Sequence, residues 1–454
     1  MPEPNESPPR SVARYSIRAP DRVAADELAD AWLLLAPDER LDGFLRLSRI
    51  EADDFFLGLR PNDQANLLLK MDPGERRLWF RLLAPDDAAD VIQKLPEEER
   101  KSFLDLLDAA TRREVTALLA YAEDAAGGRM SPRFARLRPE MTVDEAIRYL
   151  RRQAQAHLET IYYAYVLDKD QTLLGVVSFR DLFSSAGDKP LGDVMHTDII
   201  AVPDTLDQEA VARVVTDNAL NAVPVLDAQG HMKGIVTIDD IVDVVQQEAT
   251  EDIQKLGGME ALEKPYMQTG LVAMVKKRAG WLAVLFLGEM LTASAMGRYE
   301  TEIARAVVLT LFIPLIISSG GNSGSQATTL IIRAMALGEV TIADWWRISR
   351  RELGAGLALG VILATIGLLR IVAWQALFHT YGDHYVGIAA TVAISLVGVV
   401  TWGTLSGSML PIVIRRLGFD PASASAPFVA TLVDVSGLVI YFNVAQILLR
   451  GTLL

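Results

Sequence analysis

Beyond Lys276, Lys277 and Arg278 the chain turns apolar and runs through five stretches long enough to cross a bilayer, whose hydrocarbon core requires about 20 apolar residues of a helix. They cover 279–297, 306–332, 353–378, 385–414 and 424–449. The first is interrupted by Glu289, the third by Arg370 and the fifth by Asp434, while the fourth has no charge. Basic residues of short loops mark the cytoplasmic side. Lys276 to Arg278 precede span one, Arg347, Arg350 and Arg351 lie between spans two and three, and Arg415 and Arg416 lie between spans four and five, all three regions on one side. This places residues 1–273 in the cytoplasm and, with an odd number of spans, the C-terminus outside. The opening residues MPEPNESPPRSVARYS lack the apolar core of a signal peptide, in agreement with that orientation.

Two spans are unlike plain lipid-facing helices. The second contains Pro314 and then SSGGNSGSQATT at 318–329. Its glycines and small polar residues are expected to loosen the helix, and irregular backbone at membrane depth is tolerated only where it is buried or lines water. Asn322 and Gln326, with Pro314 and Gly321, are therefore candidate pore-lining residues; close packing through small residues is the competing reading. The fifth span reads PASASAPFVATLVDVSGLVIYF, with Pro427 and Gly437 on either side of Asp434. A carboxylate within a bilayer faces a partner or water, so Asp434 is either a pathway residue or one half of a buried ion pair with Arg370. Glu289 has polar Thr292 and Ser294 nearby and fits either a pathway or a packed interface.

Charge divides the chain in two. From Met274 onward, 13 Lys and Arg stand against 9 Asp and Glu, a net of +4; the chain total of −14 leaves −18 on residues 1–273. An acidic soluble half excludes the phosphate-backbone attraction of a nucleic-acid binder and favours cations. With no Cys and five unclustered His, thiolate chemistry and zinc catalysis lack their ligands. There is no nucleophile elbow or phosphate loop either, so the chain does not read as an enzyme.

Residues 1–22 are Pro- and Ser-rich and expected to be disordered. From 23 to 128 the pattern is helical. Pro61, Pro73, Pro85 and Pro96 recur at spacings of 12, 12 and 11, each opening a short apolar-periodic segment with early acids, which suits a first helical turn. The expectation is a small all-α superhelical domain. Two similar units follow, 129–190 and 191–246, each reading helix, strand, turn, strand, helix. GVVSFRDL (175–182) in the first corresponds to GIVTIDDI (234–241) in the second. Both units resemble CBS domains, α/β modules whose pairs bind adenine nucleotides. A Ser or Thr followed three residues later by Asp closes each (Ser178 and Asp181, Thr237 and Asp240). That pattern serves phosphate and ribose recognition or, equally, a helix N-cap with a first-turn acid. A connector over 247–273 then leads into the membrane half, 274–454.

The order of these parts, with the strings DDAADVI (86–92), TIDDIVDV (237–244), EATEDIQKLGG (248–258), GGNSGSQATTLIIRA (320–334) and PFVATLVDVSGLVIYF (427–442), resembles the MgtE family of magnesium channels from about residue 25 to 450. The resemblance implies an inner-membrane homodimer with one pore on its two-fold axis. It implies Asp434 as the selectivity ligand for Mg²⁺, with the backbone near Ala430 contributing. It also implies gating by cytosolic Mg²⁺ held between acidic faces, with candidate ligands Asp87, Asp90, Glu209, Asp217, Asp240, Asp243, Glu248, Glu251 and Asp252. ATP is implied as a modulator, at Tyr163, Arg180 and Asp181. Ala219 stands where a further acid is expected, and Glu289 matches no position of the family pattern. The alternative function is a carrier for another divalent metal such as Co²⁺ or Mn²⁺, with or without proton coupling through Glu289; a sensor merely anchored by its spans leaves the acid of span five without a purpose.

Overall fold

The computed structural model describes residues 24–153, 162–262 and 266–453; the segment 1–22, expected to be disordered, lies outside them. The chain divides into two compact units, Met1–Val245 and Gln246–Leu454. The division falls inside one helix, Ile238–Leu256.

In the first unit, eight helices of seven to ten residues run from Ala25–Ala31 to Ala109–Leu118. Pro61, Pro73 and Pro85 open their helices as expected, whereas Pro96 is the residue before the helix Glu97–Leu104. The fourth residue of five of these eight helices carries a second pattern, which the proline spacing does not announce. Arg76 donates to the carbonyls of Leu68, Leu69 and Met71, Arg100 to those of Gln93 and Leu95, and Arg112 to those of Asp105 and Leu107. Gln64 does the same to Phe56, and Arg40 to Leu35. Short helices leave their last carbonyls without intrahelical donors, and each of these side chains reaches back to satisfy the preceding helix. Phe44, Phe56, Phe80, Trp79 and Phe103 fill the core between the helices.

The two repeats form separate three-stranded sheets. In the first, β1 (Ala135–Leu137) is parallel to β2 (Tyr163–Leu167), which pairs antiparallel with β3 (Leu173–Ser178). In the second, β4 (Val202–Pro203), β5 (Ala222–Leu226) and β6 (Met232–Thr237) repeat the order. The two hairpin turns are built alike. Asp168 Oδ1 accepts from the amides of Asp170 and Thr172, and Asp227 Oδ1 from those of Gln229 and His231. Phe134, Tyr165, Leu167, Ala222, Met232 and Ile235 pack the sheets together. The short leading strands, β1 and β4, are too brief to show a period in the sequence.

The second unit contains five helices long and apolar enough to span a membrane: Leu271–Arg298, Val307–Ala336, Ile342–Phe378, Tyr385–Arg416 and Ala426–Leu448. The expected loosening of span two is not found. Ile313–Ala336 is one unbroken α-helix with Pro314 in its first turn, where the missing N–H costs nothing. Its glycines serve contact instead. A Cβ on Gly403 of span four would lie 2.3 Å from the Gly320 carbonyl oxygen, and one on Gly407 2.2 Å from that of Gly324. Thr328 Oγ1 donates to the Gly407 carbonyl at 2.8 Å, and Ser323 and Thr404 share a hydrogen bond of 2.7 Å. Close packing through small residues is thus what one face of span two does.

Candidate ion pathway and cytosolic acidic sites

Span five is a continuous helix started by Ser425, whose hydroxyl accepts from the Phe428 amide. Pro427 lies in its first turn and does not interrupt it. Asp434 follows two turns later, half-buried. Gly321 of span two lies beside it: a Cβ there would sit 3.4 Å from Ala430 Cβ and 3.9 Å from Asp434 Oδ1. Gly321 therefore keeps the space beside the carboxylate open, in the packed rather than the exposed part of its helix. Ala430 is one turn before Asp434, so its carbonyl is engaged by the helix ladder and has a second lone pair to offer.

Arg370 is not the partner of Asp434. Its guanidinium donates to the Tyr381 hydroxyl at 3.2 Å and lies 5.1 Å from the centre of the Trp374 ring. Among the described residues Asp434 makes no ion pair and no hydrogen bond through its carboxylate. Ser318, Asn322 and Gln326, spaced four apart, form an exposed polar row on span two, with Pro314 exposed one turn earlier. An exposed polar row on a membrane helix faces water or another polar surface.

The end of the connector helix is tied to the entrance of span five within the same unit. Lys255 Nζ lies 2.6 Å from Asp420 and is also paired with Glu251. Burial disfavours the charged ammonium, but the two carboxylates outweigh it and hold its pKa above the ordinary lysine range. Leu256 packs against Ile332, Ala422 and Ala424. Gly258 has φ of +70°, and a Cβ on it would strike the Trp281 ring at 2.7 Å. The Trp281 indole N–H in turn donates to Ser425 Oγ at 3.1 Å, the hydroxyl that caps span five. Glu251 is thus engaged by a lysine. Lys255, Asp420 and Trp281 are absent from the sequence-derived candidates; only the i,i+4 spacing of Glu251 and Lys255 was visible there.

The remaining candidate sensor residues are dispersed. Asp90 is partly buried and pairs with Arg129 at 3.1 Å; Arg129 also donates to Gln208. Burial raises the Asp90 pKa, and Arg129 opposes that rise. Glu209 pairs with Arg213. Asp217 is exposed at the end of the helix Gln208–Asp217, Asp243 is exposed, and Asp240 accepts from the Thr237 hydroxyl at 2.9 Å. Asp87 lies in the first turn of the helix Pro85–Lys94. Glu248 and Asp252 lie partly exposed on the connector helix. Among the described residues no three of these acids gather into a metal-binding group.

The candidate nucleotide residues do come together at one end of the first sheet. Tyr163 is directly opposite Ser178, Arg180 is exposed two residues on, and Asp181 follows. Ser178 and Asp181 form a capping box: Asp181 Oδ2 accepts from the Ser178 hydroxyl at 2.6 Å and its amide at 3.0 Å. His196 Nε2 stands 3.2 Å from the same oxygen. Burial pushes the Asp181 pKa up, but the Ser178 bonds and His196 overcome it and keep it below the usual carboxylate value. The helix-cap role of this pair is realised in the protein.

Comparison with known proteins agrees with this layout. Residues 24–124 match the MgtE intracellular N domain, 123–188 and 191–247 match CBS domains, and 313–444 match the MgtE divalent cation transporter domain. The chain is 42% identical over 347 residues to the magnesium transporter MgtE of Thermus thermophilus, covering 76% of this chain and 75% of that one. It is 35% identical over 338 residues to the magnesium transporter MgtE of Enterococcus faecalis, covering 74% and 72%. A crystal structure of the cytosolic domain of the Mg²⁺ channel MgtE in complex with ATP is 37% identical, with a TM-score of 0.46, covering 49% of this chain and 90% of that one. On this similarity, which extends across the soluble and membrane halves alike, the chain belongs to the MgtE family of divalent cation transporters.

Proposed function

We propose that the protein is a Mg²⁺-selective channel for magnesium uptake, working as a homodimer in the inner membrane with its N-terminus cytoplasmic and its C-terminus outside. The observation that carries this reading is Asp434: a half-buried carboxylate inside a membrane span, without ion pair or hydrogen bond among the described residues, beside a glycine that leaves room next to it. Mg²⁺ is hard, prefers octahedral oxygen and gives up water reluctantly. A passage site therefore suits few carboxylates acting through retained water. Two-fold symmetry turns one Asp434 into two, whose summed charge balances the dication. The exposed row of Ser318, Asn322 and Gln326 supplies oxygen and nitrogen groups along the same route, with Pro314 at its outer end and Gly321 and Ala430 beside the carboxylate. The chain has no Cys, so the thiolate ligands that favour copper and zinc are absent.

Cytosolic Mg²⁺ acts as the closing signal in this reading. Apposing acidic surfaces is costly without a counter-ion, and Asp87, Asp90, Glu209, Asp217, Asp240, Asp243, Glu248, Glu251 and Asp252 supply them. Because several already have basic partners, divalent ions compete with Arg129, Arg213 and Lys255 for them. ATP binds at Tyr163, Arg180 and Asp181 and raises sensitivity to Mg²⁺; calorimetry of the full protein with ATP, compared with Asp181→Ala, tests this. Flux into liposomes across a titration of Mg²⁺ on the cytoplasmic side, with Co²⁺ and Mn²⁺ as competitors, tests the whole. Inhibition by that Mg²⁺ and preference for Mg²⁺ support the channel. Preference for Co²⁺ or Mn²⁺, with flux driven by a proton gradient, replaces it with the carrier.

A further inference from the structure

Glu289 is an intramembrane charge to which the pathway above gives no role. Span one, which carries it, has no buried residue in its most apolar stretch. Among the described residues Glu289 has no cationic partner; its carboxylate has only the Thr292 hydroxyl, at 3.5 Å.

The register of span one on span five fixes the depth of Glu289. Trp281 bonds Ser425, Tyr299 bonds Asn443, and Glu302 accepts from Gln446, each pair 144 positions apart. Tyr299 also stacks on Phe442, with ring centres 4.8 Å apart. Between these contacts, a Cβ on Gly288 would come within 2.6 Å of Thr431 Cγ2. The two helices therefore run parallel in one unshifted register, and Gly288 allows them to close at this level. The same offset sets Met290 opposite Asp434, so Glu289 enters at the depth of that carboxylate. An unpaired acid held at this depth needs water or a cation nearby, and an ion route past Asp434 provides both.

We propose that Glu289 is a second acidic residue of the ion pathway, setting the affinity for the hydrated divalent cation while Asp434 remains the principal carboxylate. This rests on the reading of Asp434 as a pathway residue. Glu289 acts on the cation through water and across a short distance. No direct coordination is required, because a full charge about 10 Å from a dication in a partly wet protein still changes binding by roughly tenfold.

The test is Mg²⁺ flux in liposomes containing the full-length protein, measured as half-saturating concentration and maximal rate for wild type, Glu289→Gln, Glu289→Asp and Asp434→Ala. The expected result is a half-saturating concentration about tenfold higher in Glu289→Gln, a smaller rise in Glu289→Asp, and a change in maximal rate below the change in affinity. An unchanged half-saturating concentration in Glu289→Gln, or a fall in maximal rate alone, overturns the inference; if Asp434→Ala abolishes flux in the same experiment, the channel reading still stands. Undiminished flux in Asp434→Ala overturns both. Should Glu289→Gln not yield a monodisperse protein, Glu289→Asp decides by the same criterion: raised half-saturation supports the role, and wild-type half-saturation removes it.

Discussion

Lys255, at the end of the connector helix, and Asp420, in the turn before span five, meet at 2.6 Å across 165 residues of sequence. With Glu251 as the second acceptor, the ammonium fixes the connector at the foot of the helix that carries Asp434. A charge held by two carboxylates loses more on removal than a lone surface pair, whose worth is about 0–1 kcal/mol. Lys255→Met is expected to lower the unfolding temperature modestly and to weaken inhibition of flux by cytoplasmic Mg²⁺. Flux against internal Mg²⁺ checks it; an inhibition curve superposable on wild type refutes it. The pKa of Lys255 is raised on folding, so its contribution is complete below the ordinary lysine pKa and is lost as pH rises through the folded value.

The contact between spans two and four depends on the missing side chains of Gly403 and Gly407. An added methyl at Gly407 would be placed 2.2 Å from a backbone oxygen, which only movement of a whole helix relieves. Gly407→Ala is expected to cost about 3 kcal/mol or more and to reduce the yield of monodisperse protein. Gly354→Ala, where nothing lies within 4 Å, is the control and is expected to behave as wild type in thermal unfolding in detergent.

Ala219 adopts φ of +50° after the helix Gln208–Asp217, a left-handed position that costs a residue with a Cβ about 1–2 kcal/mol. Its amide donates to Thr216 and that of Leu220 to Val215, the pattern of a C-terminal cap that favours glycine. The sequence drew attention to this position as one where a further acid is expected; the backbone adds that it is a strained cap. Ala219→Gly is expected to stabilise the protein by about 0.5–1 kcal/mol. Thermal unfolding checks the sign, and a lower midpoint contradicts it.

Arg129 compensates Asp90. Removing it leaves a partly buried carboxylate without this cation, a change above the about 0–1 kcal/mol of an exposed pair and below the about 3–5 kcal/mol of a fully buried one. The pKa of Asp90 is already raised by burial and rises further without Arg129. The deficit of Arg129→Met relative to wild type is therefore expected to shrink as pH falls through that raised value, because the neutral acid tolerates burial. Unfolding midpoints across a pH series measure it; a constant or widening gap contradicts the pairing.

Elements with long or repeated signals were legible in the sequence. The five spans, the proline-started helices and the paired hairpins follow from apolar length, from Pro in a first turn and from matching strings. What escaped depended on contact. The glycines of 320–324 suggest a loosened helix when read alone, yet packing against Gly403 and Gly407 converts them into a close interface. Asp434 is conspicuous as an acid in an apolar run, but only the fold shows that Arg370 bonds Tyr381 and leaves it unpaired. Lys255 and Asp420 are ordinary surface charges until the chain brings them together, and the arginines that cap preceding helices are invisible to apolar periodicity.

Mg²⁺ entry into liposomes bearing Asp434→Asn, at low Mg²⁺ on the cytoplasmic side, where the proposed closing signal is absent, addresses the Asp434 site most directly. The amide preserves shape and removes the charge. The account predicts that flux falls by about a hundredfold or more while the protein remains folded; flux at the wild-type rate and with the wild-type preference for Mg²⁺ would contradict it.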